Sequence, residues 1–302
     1  MITKLIDIAA KAKTLGHKTR IAVAVAEDDN TLGAISRAVN EGFVFPLLLG
    51  NAETIKPLIQ NHIDPALCEI IHIPDAVLAT KEAVRLVREG RADVLMKGLV
   101  GTDKFLKAVL DKEKGLLPPK AVMSYTCALE LPKHHKLLFI SDTAVLTNPD
   151  LEQKIAMIGY SVAMARRFGI EKPKVALISA TEKVSAAMPV TFEHAMICKM
   201  AERGQIKNCT IDGPLDIFLA LDPASLPIKG VKSALGGDAD ILIFPNLESA
   251  NSFYKGLMLF GGGELAGLIC GTTKPVVVMS RSESENSKYY CLSLACLMAE
   301  ET

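Results

Sequence analysis

Residues 20–49 read RIAVAVAEDDNTLGAISRAVNEGFVFPLLL, and this stretch decides the fold class. The apolar run 20–26 predicts a buried strand, and the segment 31–41 predicts a helix, with Asn30 as its N-cap after a polar turn. The apolar run 43–49 predicts a second strand. A strand, a helix and a strand in this order form a right-handed βαβ unit with parallel strands.

The same alternation continues through the rest of the chain. Further strands are predicted at residues 69–73, 92–96, 136–140, 174–179, 240–245 and 274–280, with helical segments between them. The prolines and histidines of residues 118–135 interrupt this pattern and predict a domain seam near residue 135. The sequence therefore predicts an α/β protein with two parallel-sheet domains.

Composition excludes several classes of protein. The 302 residues contain 34 Lys and Arg against 34 Asp and Glu, so no basic excess attracts the chain to a nucleic acid. Hydrophobic residues make up 49% of the chain, which is enough for a large core and excludes disorder. The longest apolar runs are far shorter than the ~20 residues that a membrane helix needs, so no membrane partner is expected.

The cysteines indicate the compartment. There are seven of them, at scattered positions without a CxxC pair or a nearby histidine cluster. This pattern predicts neither a disulfide framework nor a zinc site. The N-terminus has no long apolar core with a cleavage site, so we expect a cytoplasmic protein that holds no metal.

Ligands of parallel sheets bind beyond the carboxyl ends of the strands, so the loops there are the candidate sites. The first such loop contains Lys97, Gly98, Gly101 and Thr102, which offer a cation, flexible glycines and a hydroxyl before a helix. Backbone N–H groups at a helix start suit a phosphate. The order of a Walker loop is missing, and an ordinary turn is the alternative interpretation.

A second candidate loop follows the last predicted strand and begins with Ser280 and Arg281. A guanidinium binds phosphoryl oxygens through two hydrogen bonds, which Lys cannot do. A solvated turn is the alternative here. Two further loops with polar residues follow strands, at residues 141–143 and 245–251.

At these loops the sequence resembles the phosphate acetyl/butyryl transferase family, and most closely its butyryltransferase branch. The most specific blocks are ADILIFPNLESAN at residues 239–251 and VVMSRS at 277–282. The other blocks lie at residues 20–29, 92–98, 139–144, 148–149, 174–179, 182–184 and 212–216. The resemblance thus covers nearly the whole chain.

This resemblance implies a fold and a reaction. The fold is two α/β domains that face each other across a cleft, as in isocitrate and isopropylmalate dehydrogenases. One domain would comprise residues 1–135 with about 275–302, and the other 136–274. The reaction is butanoyl-CoA plus phosphate giving butanoyl phosphate plus CoA, by direct transfer in a ternary complex. Coenzyme A is then a substrate and no cofactor is bound permanently. A homodimer or larger homo-oligomer is expected.

The resemblance also implies site residues. Arg281 would hold the phosphate, Ser280 would donate to the CoA sulfur or the carbonyl oxygen, and Glu283 is the carboxylate nearest to them for the base. The substrate-binding set implied by the motifs is Lys97, Gly98, Thr102, Lys107, Ser124, Asp142, Asn246 and Asn251.

Two departures from the acetyl-type members concern this site. A lysine, Lys107, occupies the approximate place of an arginine that those members carry after the glycine loop. Ungapped counting places Ser287 where they have the aspartate that serves as base for the CoA thiol. Glu283 and Glu285 are the nearest carboxylates in sequence, and a thiol with a pKa of ~8.5 needs only modest help to ionise.

Three alternatives remain at this level. A phosphate acetyltransferase would use the same chemistry with a shorter acyl chain. A metal- and NAD-dependent decarboxylating dehydrogenase has the same two-domain architecture but needs clustered Asp ligands. A CoA-binding relative without catalytic activity would bind the substrate and not turn it over.

Overall fold

The computed structural model describes residues 1–60, 62–280 and 283–300 of the chain. In chain order, its strands are β1 (Thr19–Ala24), β2 (Val44–Gly50), β3 (Glu69–His72), β4 (Val94–Lys97), β5 (Ser124–Glu130), β6 (Leu138–Ser141), β7 (Lys174–Ile178), β8 (Thr210–Leu215), β9 (Ile241–Ile243), β10 (Glu264–Cys270) and β11 (Val276–Val277). Its helices are α1 (Leu5–Ala12), α2 (Asp29–Asn40), α3 (Ala52–Ile59), α4 (Ala76–Arg88), α5 (Thr102–Val109), α6 (Leu151–Arg167), α7 (Val190–Glu202), α8 (Ile217–Leu221), α9 (Ser225–Lys229), α10 (Leu247–Gly261) and α11 (Glu285–Ala299). A short 3₁₀ helix spans Pro65–Leu67. Strands and helices alternate along most of the chain, so the α/β class is confirmed.

The chain divides into two compact units by its internal contacts. The split unit is built from two segments, Leu5–Met123 and Glu264–Thr302, and the central unit from Met1–Lys4 and Ser124–Gly263. β5 lies in the central unit because it pairs with β6. The domain boundaries predicted at residues 135 and 274 differ from the ends of these units and stay a prediction.

In the split unit the strand order is β3-β2-β1-β4-β11-β10. Neighbours from β3 to β11 are parallel, and only β10 runs antiparallel to β11. β1 lies between β2 and β4, and its Ile21, Ala22 and Val23 are fully buried. A strand covered on both faces has a continuous apolar sequence, which explains the run from which β1 was predicted.

The central unit has the strand order β5-β6-β9-β7-β8. Its strands are parallel from β6 to β8, whereas β5 and β6 are antiparallel. β9, the middle strand of this group, is fully buried from Ile241 to Ile243. The long helices α6 and α7 connect β6 to β7 and β7 to β8, and the short helices α8 and α9 lie between β8 and β9.

The prediction of parallel sheets was wrong for one strand pair in each unit. The links between β5 and β6, and between β10 and β11, are too short to contain a crossover helix, so each pair folds back on itself. β5, β8 and β10 were not predicted as strands at all. β8 and β10 each carry an internal glycine, which weakens the strand pattern in the sequence.

The helix α11 forms the last element of the split unit and packs on α1, α2 and β10. It is buried on most of its circumference, from Tyr289 to Cys296. Ser280, which follows β11, and Glu283, which precedes α11, therefore each lie beside a buried element of the split unit.

Candidate functional site

A small cavity lies where β4 and β11 end. The two strands are parallel neighbours, with Val277 across from Met96, so their carboxyl ends bring two loops together. The cavity is lined by Asp28, Thr31, Met96, Lys97, Gly98, Met279, Ser280 and Lys288. Three of the residues predicted for the site, Lys97, Gly98 and Ser280, therefore meet at one place.

Lys97 is the last residue of β4 and is only 6% exposed. Its Nζ donates hydrogen bonds to the carbonyl oxygens of Gly98, at 3.2 Å, and Val100, at 3.1 Å. The ammonium therefore holds the loop in shape while it adds a positive charge to the cavity wall.

Gly98 is required by a close approach of two backbone segments. Its N–H donates to the carbonyl oxygen of Ala24 at 2.9 Å, at the end of β1. A Cβ at residue 98 would lie 2.2 Å from the carbonyl oxygen of Val25. Only glycine fits here, so this loop glycine serves packing as well as any ligand.

The N-terminus of α2 forms another wall of the cavity, and its N-cap differs from the prediction. The cap is Asp28, whose carboxylate accepts from the N–H of Thr31 at 2.8 Å. Asn30 lies in the first turn, and its Nδ2 is 3.5 Å from the carbonyl oxygen of Glu283. The Asn30 prediction was wrong because Asp28 reaches the free N–H groups from the extended residue before the helix.

Lys288, which sequence analysis missed, lines the cavity from α11. It is 3% exposed. Burial lowers its pKa, and the negative charges of Asp28, Glu283 and Glu285 partly offset this effect. Its signal in the sequence was weak, because a single lysine in a helix is normally assigned to the solvent side.

The loop after β11 carries the three predicted catalytic residues. Ser280 is exposed at the cavity, and its carbonyl oxygen accepts from the N–H of Glu283 at 3.3 Å. Glu283 is half-buried within the same turn. Arg281, the third of them, lies with Ser282 outside the described residues. Its role rests on the sequence alone.

A second missed residue, Glu264 at the start of β10, fixes this loop. Its Oε2 accepts from the hydroxyl of Ser284 at 2.6 Å and from that of Ser287 at 2.5 Å. Ser284 also caps α11 through the N–H of Ser287 at 2.9 Å. Ser287, which was predicted to occupy the place of the aspartate of acetyl-type members, is fully buried and donates a hydrogen bond to the Glu264 carboxylate.

Thr102 and Lys107 do not line the cavity. Thr102 is the exposed first residue of α5. Lys107 is also exposed and lies in a groove of about 870 Å³, whose other walls include Lys81, Arg85 and Arg88 of α4. Since that groove shares no residue with the cavity, the part that Thr102 and Lys107 have in substrate binding stays a prediction.

The central unit holds the other predicted binding residues, and there Ser124 and Asp142 are in contact. Asp142 is 2% exposed and accepts from the Ser124 hydroxyl at 2.9 Å and from the Tyr125 N–H at 3.0 Å. Three further backbone N–H groups, of residues 144–146, also donate to its carboxylate. Burial raises the pKa of Asp142, while these hydrogen bonds favour the charged form.

Asn246 and Asn251 stabilise the same edge of the central unit. Asn246 caps α10 by accepting from the N–H of Ser249 at 3.0 Å. Asn251 donates from Nδ2 to the carbonyl oxygen of Thr143 at 2.8 Å, directly after Asp142. Each of the four predicted residues in this unit thus has a hydrogen bond that shapes a loop at a strand end. Their contact with a substrate stays a prediction.

The described part of the chain contains neither a cluster of metal ligands nor a helix that could span a membrane. Across residues 1–60, 62–280 and 283–300, no three His, Cys, Asp or Glu side chains gather as metal ligands would. Over the same residues, none of the helices has the length and apolar character that crossing a membrane requires.

The sequence and the structure are similar to those of known proteins. A family model described as phosphate acetyl/butaryl transferase matches residues 73–296. The chain is 40% identical over 300 residues to a phosphate butyryltransferase of Clostridium acetobutylicum, with 99% of each chain covered. It is 37% identical over 302 residues to a phosphate acetyltransferase of Thermotoga maritima, again with 99% of each covered. A solved branched-chain phosphotransacylase from Enterococcus faecalis V583 matches with a TM-score of 0.80 at 29% identity, over 93% of this chain and 99% of that one.

Proposed function

Because the chain belongs to the phosphate acetyl/butyryl transferase family, we propose that it transfers a butanoyl group between coenzyme A and inorganic phosphate. The chain is an acyltransferase, and the observation that carries the butanoyl assignment is its 40% identity to a phosphate butyryltransferase along nearly the whole of both chains. The cavity supports the same chemistry, because it joins Lys97 and Ser280 at the ends of two parallel strands.

The proposed reaction is a direct transfer. An oxygen of inorganic phosphate forms a bond to the thioester carbonyl carbon of butanoyl-CoA, and the carbonyl oxygen takes up the negative charge. The C–S bond then breaks, the sulfur leaves as a thiolate and takes a proton, and butanoyl phosphate remains. Ser280 donates a hydrogen bond where the charge develops, and Arg281 holds the phosphate.

The reverse direction needs a base for the CoA thiol, and we assign Glu283 to this step. Glu283 lies in the same turn as Ser280, held by its own N–H. Glu264, at the start of β10, is a carboxylate that contacts this loop, but its Oε2 already accepts from two serine hydroxyls. A carboxylate engaged in this way is suited to hold the loop rather than to take up a proton.

We expect Glu283→Gln to lower kcat for CoA consumption with butanoyl phosphate by about 10²-fold, the lower end for a general base, since thiols ionise readily. Glu264→Gln keeps an acceptor oxygen for both serines and serves as the matched control, with a smaller loss. Stopped-assay kinetics of CoA disappearance measure both. If the Glu264 variant shows the larger loss, the assignment of Glu283 is wrong.

Acetyl transfer is the second candidate function, because the phosphate acetyltransferase of Thermotoga maritima is 37% identical to this chain. The test is release of CoA thiol from butanoyl-, isobutanoyl- and acetyl-CoA, with and without phosphate, followed with a thiol-reactive dye. We expect phosphate-dependent release that is fastest with a four-carbon chain. Faster release from acetyl-CoA would move the assignment to an acetyltransferase.

Thiol release together with two binding measurements separates the remaining alternatives. Saturable CoA binding with no release from any acyl-CoA would favour a relative without catalytic activity. Uptake of NAD measured by calorimetry would favour a dehydrogenase, for which Asp ligands to a metal would have to gather. Coenzyme A is a substrate in this proposal, and no permanently bound cofactor or metal belongs to it.

We also propose a domain architecture, an oligomeric state and a cellular location. The parallel strands of both units support a dehydrogenase-like two-domain architecture. A homodimer or larger homo-oligomer is supported by exposed apolar side chains of the central unit, among them Phe218, Ile228 and Phe260. A sedimentation mass of one chain would contradict it. The seven cysteines, all free, support a location in the cytoplasm.

A further inference from the structure

The ammonium of Lys288 is a buried charge without a bonded partner. The side chain is 3% exposed, and no described residue accepts a hydrogen bond from Nζ or lies within ion-pair distance of it. The side chain lines the cavity at the ends of β4 and β11. Burying a charge costs free energy unless a group of opposite charge or a hydrogen-bond acceptor pairs with it. The unpaired Nζ therefore indicates that a ligand binds at this position.

The surrounding carboxylates do not supply that partner. Asp28 lines the same cavity, but its carboxylate caps α2 through the N–H of Thr31. Glu283 and Glu285 act on Lys288 through their charge, from beyond ion-pair distance. The charges of these groups partly offset the lowering of the Lys288 pKa by burial, and none of the three is bonded to its Nζ, so a bound anion would still be its direct partner.

The other walls of the cavity suit an oxyanion. Lys97 contributes a second positive charge, and the exposed hydroxyl of Ser280 is a hydrogen-bond donor at the mouth. The space inside the cavity is about 10 Å³, which admits one oxygen atom. A tetrahedral anion can place one oxygen inside, against Lys288, and keep the others beside Ser280.

We propose that Lys288 binds the inorganic phosphate that accepts the acyl group, with one phosphate oxygen inserted into the cavity at the ends of β4 and β11. The inference rests on the proposed transferase function and assigns Lys288 to its phosphate subsite. A phosphate group of coenzyme A could occupy the same site, and the experiment distinguishes it from inorganic phosphate.

The test is Lys288→Met, which removes the charge and keeps the length of the side chain. We expect the KM for phosphate to rise by about 10- to 100-fold, as for loss of a hydrogen bond between charged groups, with the KM for butanoyl-CoA nearly unchanged. We expect the melting temperature to stay the same or to rise, because a desolvated charge is removed. The matched control is Lys11→Met, an exposed lysine of α1, which packs on α11.

A second readout needs no turnover. Broadening of the ³¹P resonance of inorganic phosphate by the wild-type protein should be lost in Lys288→Met and kept in Lys11→Met. The inference is overturned if Lys288→Met leaves either the broadening or the KM for phosphate unchanged. It is also overturned if only the KM for butanoyl-CoA rises, because that result assigns Lys288 to a phosphate of CoA. If Lys288→Met does not fold, Lys288→Gln takes its place. A wild-type protein that broadens the phosphate signal through Lys288 but releases no CoA contradicts the proposed function, and it leaves Lys288 as a phosphate-binding residue that is not part of an acyl transfer site.

Discussion

Replacing Ser280 by alanine should lower kcat for phosphate-dependent CoA release from butanoyl-CoA by about 10²–10³-fold, the usual cost of losing one donor to a developing charge. Ser280 is exposed at the mouth of the cavity, where a substrate can reach it. Its position is fixed by its backbone, since its carbonyl oxygen accepts from Glu283. Loss of the hydroxyl therefore removes a donor and keeps this backbone hydrogen bond.

The control for this prediction is Ser252→Ala, at an exposed serine of α10. It should keep the wild-type kcat, and both variants should melt within about 1–2 °C of wild type, as expected for surface substitutions. Initial rates at saturating phosphate and butanoyl-CoA measure the effect. A Ser280→Ala enzyme with wild-type kcat would mean that the developing charge is stabilised elsewhere.

Gly98→Ala should destabilise the split unit by roughly 3 kcal/mol, at the upper end of what overpacking costs. The new Cβ would lie 2.2 Å from the Val25 carbonyl oxygen and 2.9 Å from that of Ala24. Both atoms belong to backbone at the end of β1, so neither can rotate away. The loop that carries Lys97 must then move, and activity should fall together with stability. Urea unfolding gives the change in free energy.

Gly159→Ala is the matched control for that substitution. Gly159 lies in the middle of α6 and is exposed, and a Cβ at this position would meet no atom within 4 Å beyond the backbone of its own helix. Alanine there should stabilise the protein by about 0.5–1 kcal/mol, because it favours the helix over the unfolded chain. Equal effects at both positions would show that the close contact at Gly98 does not decide its identity.

Residues at the ends of buried strands were predictable from the sequence. Lys97, Gly98 and Ser280 each follow or end an apolar run, and the carboxyl ends of parallel strands share one edge. The pairing of β4 with β11 could not be read from the chain, because nearly 180 residues separate the two strands. Only the family resemblance suggested that the last segment joins the first.

Residues whose role depends on a distant contact were missed. Lys288 is unremarkable in sequence, and it becomes a candidate only because α11 is buried against α1, α2 and β10. Glu264 lies 23 positions before Ser287, and the hydrogen bond between them forms only when β10 and α11 pack together. Asp28 replaced Asn30 as the N-cap because the helix begins earlier than its apolar pattern does.

Some predicted residues have a structural role that the sequence did not indicate. Asp142 was predicted to bind substrate, and its carboxylate accepts hydrogen bonds from Ser124 and from the backbone of its own loop. Asn246 likewise caps a helix. A polar residue at the end of a strand serves either the backbone or a ligand, and sequence patterns alone do not separate the two.

The most direct test of the account is detection of the product itself. Purified protein is incubated with butanoyl-CoA and inorganic phosphate, and ³¹P NMR follows the phosphate signal while the dye follows the free thiol. We expect an acyl phosphate resonance that grows in equal amount to the CoA released. Release of CoA with no acyl phosphate would mean transfer to water, and would contradict the central claim that phosphate is the acceptor.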